Sequence, residues 1–244
     1  KSSLFILLNT FDKLMIIYSL LLGKKNSTGF PGKNIMPING LASCEYGFIA
    51  GSRISPDKKF VSTDSEEIKN YGTKYNYVHI SRPDHLAKSE SLVEDVLIHA
   101  YGEILKNYDR PDLIVLFFAN TPAISVKLIK EGIDFLSKNE SYDSAFSVCK
   151  YNMFSPVRAK KIENSQILPF TDLNNFDELS SLRDSQGDVY FCDMSCQVVR
   201  SRVFENINKG RQPFQWMGQK TYPLINNFGF DIDADWQKAT IEFW

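Results

Sequence analysis

Cysteine and histidine are scarce, with four Cys and three His in 244 residues. A chain of this length needs no covalent staples, and so few cysteines make no disulfide framework, so the composition fits a reducing, cytoplasmic setting. Cys192 and Cys196 have no second ligand pair at compatible spacing, which argues against structural zinc. The histidines form no acid–base cluster in sequence: His79 falls in an expected strand, His99 on an expected helix, and His85 near Arg82 has the best claim to a ligand contact. Without a visible Ser or Asp partner, a hydrolase triad is unsupported. An excess of charge is missing too. The balance of 28 Lys+Arg against 29 Asp+Glu gives −1, which excludes a strongly basic nucleic-acid surface. Long apolar runs are absent: residues 14–22, the longest, contain Tyr18 and Ser19 and are too short for a bilayer. Lys1 and the apolar residues 4–8 weakly imitate a secretion signal. With no small-residue cleavage pattern, and with Asn9 and Asp12 following, they read as a leader or added arm.

What the chain does have is apolar and aromatic content, 43% and 13%, enough to offset ordering entropy and fold a real core. Residues 15–22 read as a continuously apolar strand buried on both faces, ending at Gly23. Further strands are expected at 59–62, 77–80, 112–118 and 145–149. Helices are expected after a cap at Asp64 or Ser65, over 92–105 and over 126–136. This alternation predicts an α/β fold with a mostly parallel sheet covered by helices on both faces. Ligands of such sheets bind at the carboxyl ends of strands, here the loops at 23–34, 63–64 and 119–122. Residues 1–244 read as a single domain, with 151–185 an irregular excursion from it. A strand end and short helix are expected over 198–207, a final strand over 228–233, and a closing helix over 236–244 capped by Asp235. Because the chain ends within that helix, its biological end is expected somewhat further on.

Two segments carry chemistry. Gly23-Lys24-Lys25-Asn26-Ser27-Thr28-Gly29-Phe30-Pro31-Gly32-Lys33-Asn34 joins a buried strand to a loop whose glycines let the backbone wrap a ligand and whose lysines meet a polyanion. It is neither a Walker A loop, since Asn34 follows Lys33, nor a dinucleotide fingerprint. Phosphate is the natural guest; a flexible basic surface loop is the plainer alternative. On a strand, Asp231 and Asp233 would share one face while Phe230 and Ile232 pointed inward. Two adjacent carboxylates suit magnesium; an exposed turn is the alternative.

Together, Phe30-Pro31-Gly32-Lys33-Asn34, Val61-Ser62-Thr63-Asp64-Ser65-Glu66-Glu67-Ile68, Arg82-Pro83 with Leu86-Ala87, and Asp231-Ile232-Asp233 occur in an order that resembles the acylneuraminate cytidylyltransferase family. The resemblance extends across nearly the whole chain. It implies a Rossmann-like nucleotidyltransferase fold that activates an acidic 2-keto sugar (a nonulosonic acid such as sialic, legionaminic or pseudaminic acid) with CTP, releasing pyrophosphate. It implies a nucleotide site at Gly23, Lys24, Ser27, Lys33, Asn34, Asp64 and Arg82, with Lys24 standing where arginine is common. It places the sugar near Asn120, Thr121 and Arg183, and Mg2+ on Asp231 and Asp233. Lys24, Lys33, Arg82, Asp231 and Asp233 are the candidate catalytic set. Gln186 and Gln219, in polar stretches beside glycines, are candidate sugar contacts.

Departures weaken the finer assignment. Gly40-Leu41-Ala42-Ser43 replaces a Gly-Lys-Pro-Leu pattern, and Lys88 stands where an acidic residue is common. Guanylyl transfer from GTP to the same sugars, an eight-carbon ulosonate acceptor, and a non-catalytic nucleotide-binding scaffold stay open. The resemblance further implies a homodimer through 151–185, where Arg158, Lys160 and Lys161 either complete a neighbour's site or form a solvated charge run. Neither a membrane nor nucleic acid is expected as a partner.

Overall fold

The computed structural model describes residues 15–27, 29–177, 179–182 and 185–243. The first half alternates: β1 (Ile17–Leu22), a small hairpin of β2 (Pro37–Ile38) and β3 (Leu41–Ala42), α1 (Ser43–Arg53), β4 (Lys58–Thr63), α2 (Glu66–Lys74), β5 (Val78–Ser81), α3 (Val93–Leu105) and β6 (Leu113–Phe118). Then come α4 (Val126–Lys138), β7 (Ser144–Lys150), a hairpin of β8 (Lys160–Glu163) and β9 (Gln166–Pro169), β10 (Tyr190–Arg200), α5 (Ser201–Glu205), β11 (Thr221–Asn226) and α6 (Asp235–Phe243). Seven strands form the main sheet in the order β11-β7-β10-β6-β1-β4-β5. All pairings are parallel except those of β10, which runs against both β6 and β7. The mostly parallel α/β sheet expected from the alternation is therefore present.

Side-chain alternation along β1 explains why this strand sits inside the sheet, between β6 and β4. Tyr18, Leu20 and Leu22 enter the core shared with α3 and α5, while Leu21 enters the opposite core with residues of α1, α2 and α4. Leu20 and Leu21 are fully enclosed, each worth about 1.5–3 kcal/mol relative to exposure. Helix α2 starts where a cap was expected: the Ser65 side chain accepts from the Ile68 amide at 3.3 Å, so Ser65 takes that role.

Four features differ from the sequence expectations. Helix α1 was not anticipated because Gly47 and Gly51 break its apolar pattern. Those glycines let it lie close to the sheet: a Cβ at Gly51 would come within 2.1 Å of the Tyr77 hydroxyl and 2.5 Å of Ser19 Oγ. Strand β10 begins well before residue 198, its alternation disguised by a register shift between Cys192 and Gln197 where Met194 adopts φ 60°. The excursion contains the β8–β9 hairpin, turned at Asn164 and Ser165, both in the left-handed region. Finally, the last strand is β11, and residues 228–233 are not part of the sheet. Asp235 lies inside the first turn of α6 rather than capping it; Gln237 Oε1 instead accepts from the amides of Asp233 and Ala234 at 2.6 and 2.7 Å.

The close approach of α1 makes Gly51→Ala a stringent substitution. Overpacking against the Ser19–Tyr77 hydroxyl pair is expected to destabilise the fold by about 1–3 kcal/mol, read as a lower midpoint in urea at unchanged slope.

Candidate active site

A cleft of about 350 Å³ opens at the carboxyl ends of β1, β5 and β6, beside Met194 of the reversed strand β10. Its lining includes Gly23, Lys24, Lys33, Asn34, Arg82, Asn120, Asp231 and Asp233. Segments about two hundred residues apart therefore converge on one cleft.

The first loop leaves β1 at Gly23, where a Cβ would meet Ala119 Cβ at 2.8 Å and Ile68 Cδ1 at 2.9 Å. Glycine is needed for that close approach. Asn34 closes the loop on itself, its Nδ2 donating to the Lys24 carbonyl at 2.8 Å, and the Lys25 amide donates to Asp64 Oδ1 at 2.9 Å. Thus Asp64 holds the loop's backbone. Lys33 forms an ion pair with Asp233.

The acidic segment reaches the loop without being a strand. Ile232 is fully buried in a small cluster with Ile38 and Ile241, against which Phe30, Met36 and Phe230 pack. The inward direction expected of Ile232 holds, although a hydrophobic anchor rather than a ladder sets it. The Ile232 amide donates to the Asn120 carbonyl at 2.8 Å, and Asn120 Nδ2 donates to the Ile232 carbonyl at 3.2 Å and Asp231 Oδ2 at 3.4 Å. Asn120 thereby ties the end of β6 to the acidic pair. Burial, then the negative charge of Asp233, pushes the Asp231 carboxyl above its ordinary value. Such a crowded, oxygen-only pair is the donor set that a hard dication relieves, with further positions left to phosphate and water. Among the described residues no group of three or more His, Cys, Asp or Glu could hold a metal, so a bound ion would depend on substrate oxygens.

Arg82 is buried, and one Nη donates to the Ser62 carbonyl at 2.8 Å while its Nε has no partner among the described residues. Desolvation lowers its pKa to about 10, against the opposing pull of Asp64, and the guanidinium stays charged at neutral pH. An enclosed cation with an unmet donor in a cleft wall is suited to an anion.

Other candidates lie elsewhere. Ser27 is half-buried and outside the cleft lining, and Thr121 is buried behind it. Gln219 faces a second, smaller hollow and donates to the Lys209 carbonyl; Gln186 is likewise not on the cleft. Arg183 lies outside the described residues. Conversely, Phe118, Met194, Phe214 and Trp216 form a wall that sequence reasoning missed, although the stretch beginning at Trp216 had been singled out for its polar groups. The rings of Phe118 and Phe214 lie 6.2 and 5.3 Å from that of Trp216. Trp216 Nε1 donates to Gln197 Oε1 at 2.9 Å, and Gln197 Nε2 to the Met194 carbonyl at 3.0 Å, so this wall spends its polar atoms internally. Lys88, noted above as a departure, also lines the cleft.

A family model described as cytidylyltransferase matches residues 20–208. The chain belongs to the cytidylyltransferase family. Among solved structures it is similar in fold to CMP:2-keto-3-deoxy-manno-octonic acid synthetase complexed with CTP, with a TM-score of 0.64 and 14% identity over 93% of this chain and 97% of that one. It is also similar to 4-diphosphocytidyl-2C-methyl-D-erythritol synthase from Anaerococcus prevotii, at TM-score 0.61 and 16% identity over 94% and 95% of the two chains. Another structure of a synthase of that name gives 0.64 at 9% identity, over 94% and 97%. At such identities the likeness is one of fold. For this cytidylyltransferase, family membership agrees with the coarse expectation of a CTP-using nucleotidyltransferase. No helix among the described residues is long and apolar enough to cross a membrane.

The raised Asp231 carboxyl has a measurable sign. A carboxyl whose folded-state pKa is raised contributes stability present below its unfolded value and lost as pH rises through the folded one. Asp231→Asn, neutral throughout, is therefore expected to melt higher than the parent at pH 7 in chelator, with the advantage fading toward about pH 4. Calorimetry at both pH values checks this; a less stable variant at pH 7 contradicts it.

Proposed function

We propose that the chain activates an acidic 2-keto sugar of the nonulosonic class, such as sialic, legionaminic or pseudaminic acid, as its CMP derivative. The anomeric hydroxyl attacks the α-phosphorus of CTP, a new P–O bond forms, and the bond to the β-phosphate breaks to release pyrophosphate. The observation that carries this reading is the convergence of Lys24, Lys33 and Arg82 with Asp231 and Asp233 around one cleft. Such transfer depends chiefly on alignment and charge neutralisation around phosphorus. Lys24 and Lys33 meet phosphate oxygens, Lys33 exchanging its pairing with Asp233 for the nucleotide. Arg82 offers its unmet donor to an anionic group of nucleotide or sugar. Asp231 and Asp233 would hold Mg2+, which supplies positive charge to phosphate oxygens and eases loss of the hydroxyl proton. No side-chain base is assigned.

Two further observations support the finer reading. The apolar wall of Phe118, Met194, Phe214 and Trp216 suits the acyl or deoxy substituents of these sugars better than a ring of hydroxyls. Met153, Phe154, Ile162, Ile167, Phe170 and Leu182 are all exposed on the excursion or at its base. A concentration of this kind favours a second copy of the chain as partner, giving a homodimer.

Purified protein with CTP or GTP, magnesium and a panel of acidic sugars tests the reaction through pyrophosphate release. Turnover is expected with CTP and a nine-carbon acid. Turnover with GTP alone or with an eight-carbon ulosonate would move the assignment to those reactions, and nucleotide binding without pyrophosphate release would leave a scaffold. Lys33→Ala is expected to lower kcat/KM by about 10²–10³-fold, the scale for losing one preorganised charge-stabilising group. Light scattering is expected to give twice the chain mass, and Ile162→Lys combined with Ile167→Lys to shift it toward one.

A further inference from the structure

Asp193 lies behind the cleft wall, 2% exposed, and has no part in the transfer described above. Filling interior space with a carboxylate is costly, and the cost is met only where hydrogen-bond donors surround it. Here the donors among the described residues come from three strands, and none of them is a lysine or arginine. One oxygen, Oδ1, accepts from Ser147 Oγ on β7 and from the Ser195 amide at 2.8 Å within its own strand. The other, Oδ2, accepts from Cys149 Sγ at 3.1 Å and from Asn226 Nδ2 at 2.9 Å.

Asn226 is the last residue of β11, and the same Nδ2 donates to the Phe228 carbonyl at 2.7 Å. The turn that follows is seated directly on the carboxylate: a Cβ at Gly229 would come within 2.9 Å of Asp193 Cγ and 2.5 Å of Ser195 Oγ. Two residues beyond Gly229 the chain delivers Asp231 to the cleft. In the other direction along β10, the residue after Asp193 is Met194, held at φ 60° in the bulge and lining the opposite wall. A single enclosed carboxylate is therefore joined on one side to the acidic pair and on the other to the apolar wall.

We propose that Asp193 is a positioning residue for the transfer cleft, fixing through Asn226 and the 226–229 turn where Asp231 and Asp233 stand, and through the β10 bulge where Met194 stands. This rests on the reading of that cleft as the site of nucleotidyl transfer. An apolar residue of similar size would fill the space but would not grip Asn226, which is why a carboxylate stands there.

Asp193→Asn tests the link, because an amide has a single acceptor oxygen and, turned either way, sets its NH2 against a donor, the Asn226 amide group or the Ser195 backbone N–H, while leaving volume almost unchanged. It is expected to lower kcat by about tenfold or more, with KM for CTP within about twofold, since a misplaced acidic pair impairs alignment more than nucleotide capture. Hydrogen exchange of residues 227–233 is expected to quicken. Asn226→Ala cuts the same link from the other end and serves if Asp193→Asn folds poorly; combining the two is expected to cost no more than the worse single change. Ser147→Ala removes a donor to Oδ1 and the acceptor for the Cys196 amide in the bulge but leaves the turn alone, and is expected to lower the melting temperature with exchange at 227–233 unchanged. Folded Asp193→Asn with kcat within twofold of the parent overturns the proposal, as does unchanged exchange at 227–233 in both link variants. The exchange arm reads the link even if no acceptor is turned over, a result that would count against the transfer reaction instead.

Discussion

The site depends on one apolar side chain set between two charged ones. Ile232 has no exposure, and its enclosure beside Ile38 and Ile241 forces Asp231 and Asp233 toward the first loop. That anchor supplies the apolar contact for a segment that leaves β11 and joins no ladder. Burial of the anchor, worth about 1.5–3 kcal/mol, offsets the repulsion of bringing two carboxylates together near a buried position. Asn120, at the end of β6, then fixes the height of the segment: its carbonyl accepts from the Ile232 amide and its side-chain Nδ2 donates to the Ile232 carbonyl. Hydrophobic packing thus supplies the force, and hydrogen bonding the register.

Much of the sheet was legible because its strands are short apolar runs bounded by polar loops, as in residues 113–118 and 144–150. Helices α3 and α4 were legible from spacing. Helix α1 was not, since it is lined by small residues chosen for closeness to the sheet rather than for amphipathic contrast. The full length of β10 was hidden for a different reason: its bulge shifts the alternation partway, so no single period describes the strand. Residues 228–233 alternate like a strand, but an alternating pattern reports only that successive side chains face opposite ways, and an anchored extended segment does the same.

The charged half of the cleft was readable because glycines, lysines and paired carboxylates are chemically conspicuous. Lys24, Lys33, Arg82, Asp231 and Asp233 all line it. The apolar half was not, because Phe118, Met194 and Phe214 look like core residues in sequence, and what brings them to a cleft is the crossing of β6, β10 and a later loop. Gln219 had a suitable side chain, but Gly218 at φ 77° carries it past the cleft toward Lys209. Side-chain chemistry alone does not reveal which way a turn points it.

The reversed direction of β10 joins two parts of the molecule that the topology would otherwise keep apart. In a wholly parallel sheet, every strand would finish at the cleft, and its connections would return along the far faces. Because β10 runs against its neighbours, it carries the chain from the β8–β9 hairpin past the cleft at Met194, within the strand itself. Tyr190, where the strand begins, is separated from Met194 by a short stretch of one continuous ribbon. The excursion and the apolar wall of the cleft are consequently neighbours along the backbone, so insertions or deletions in the excursion can reshape that wall while the loop after β1 stays as it is.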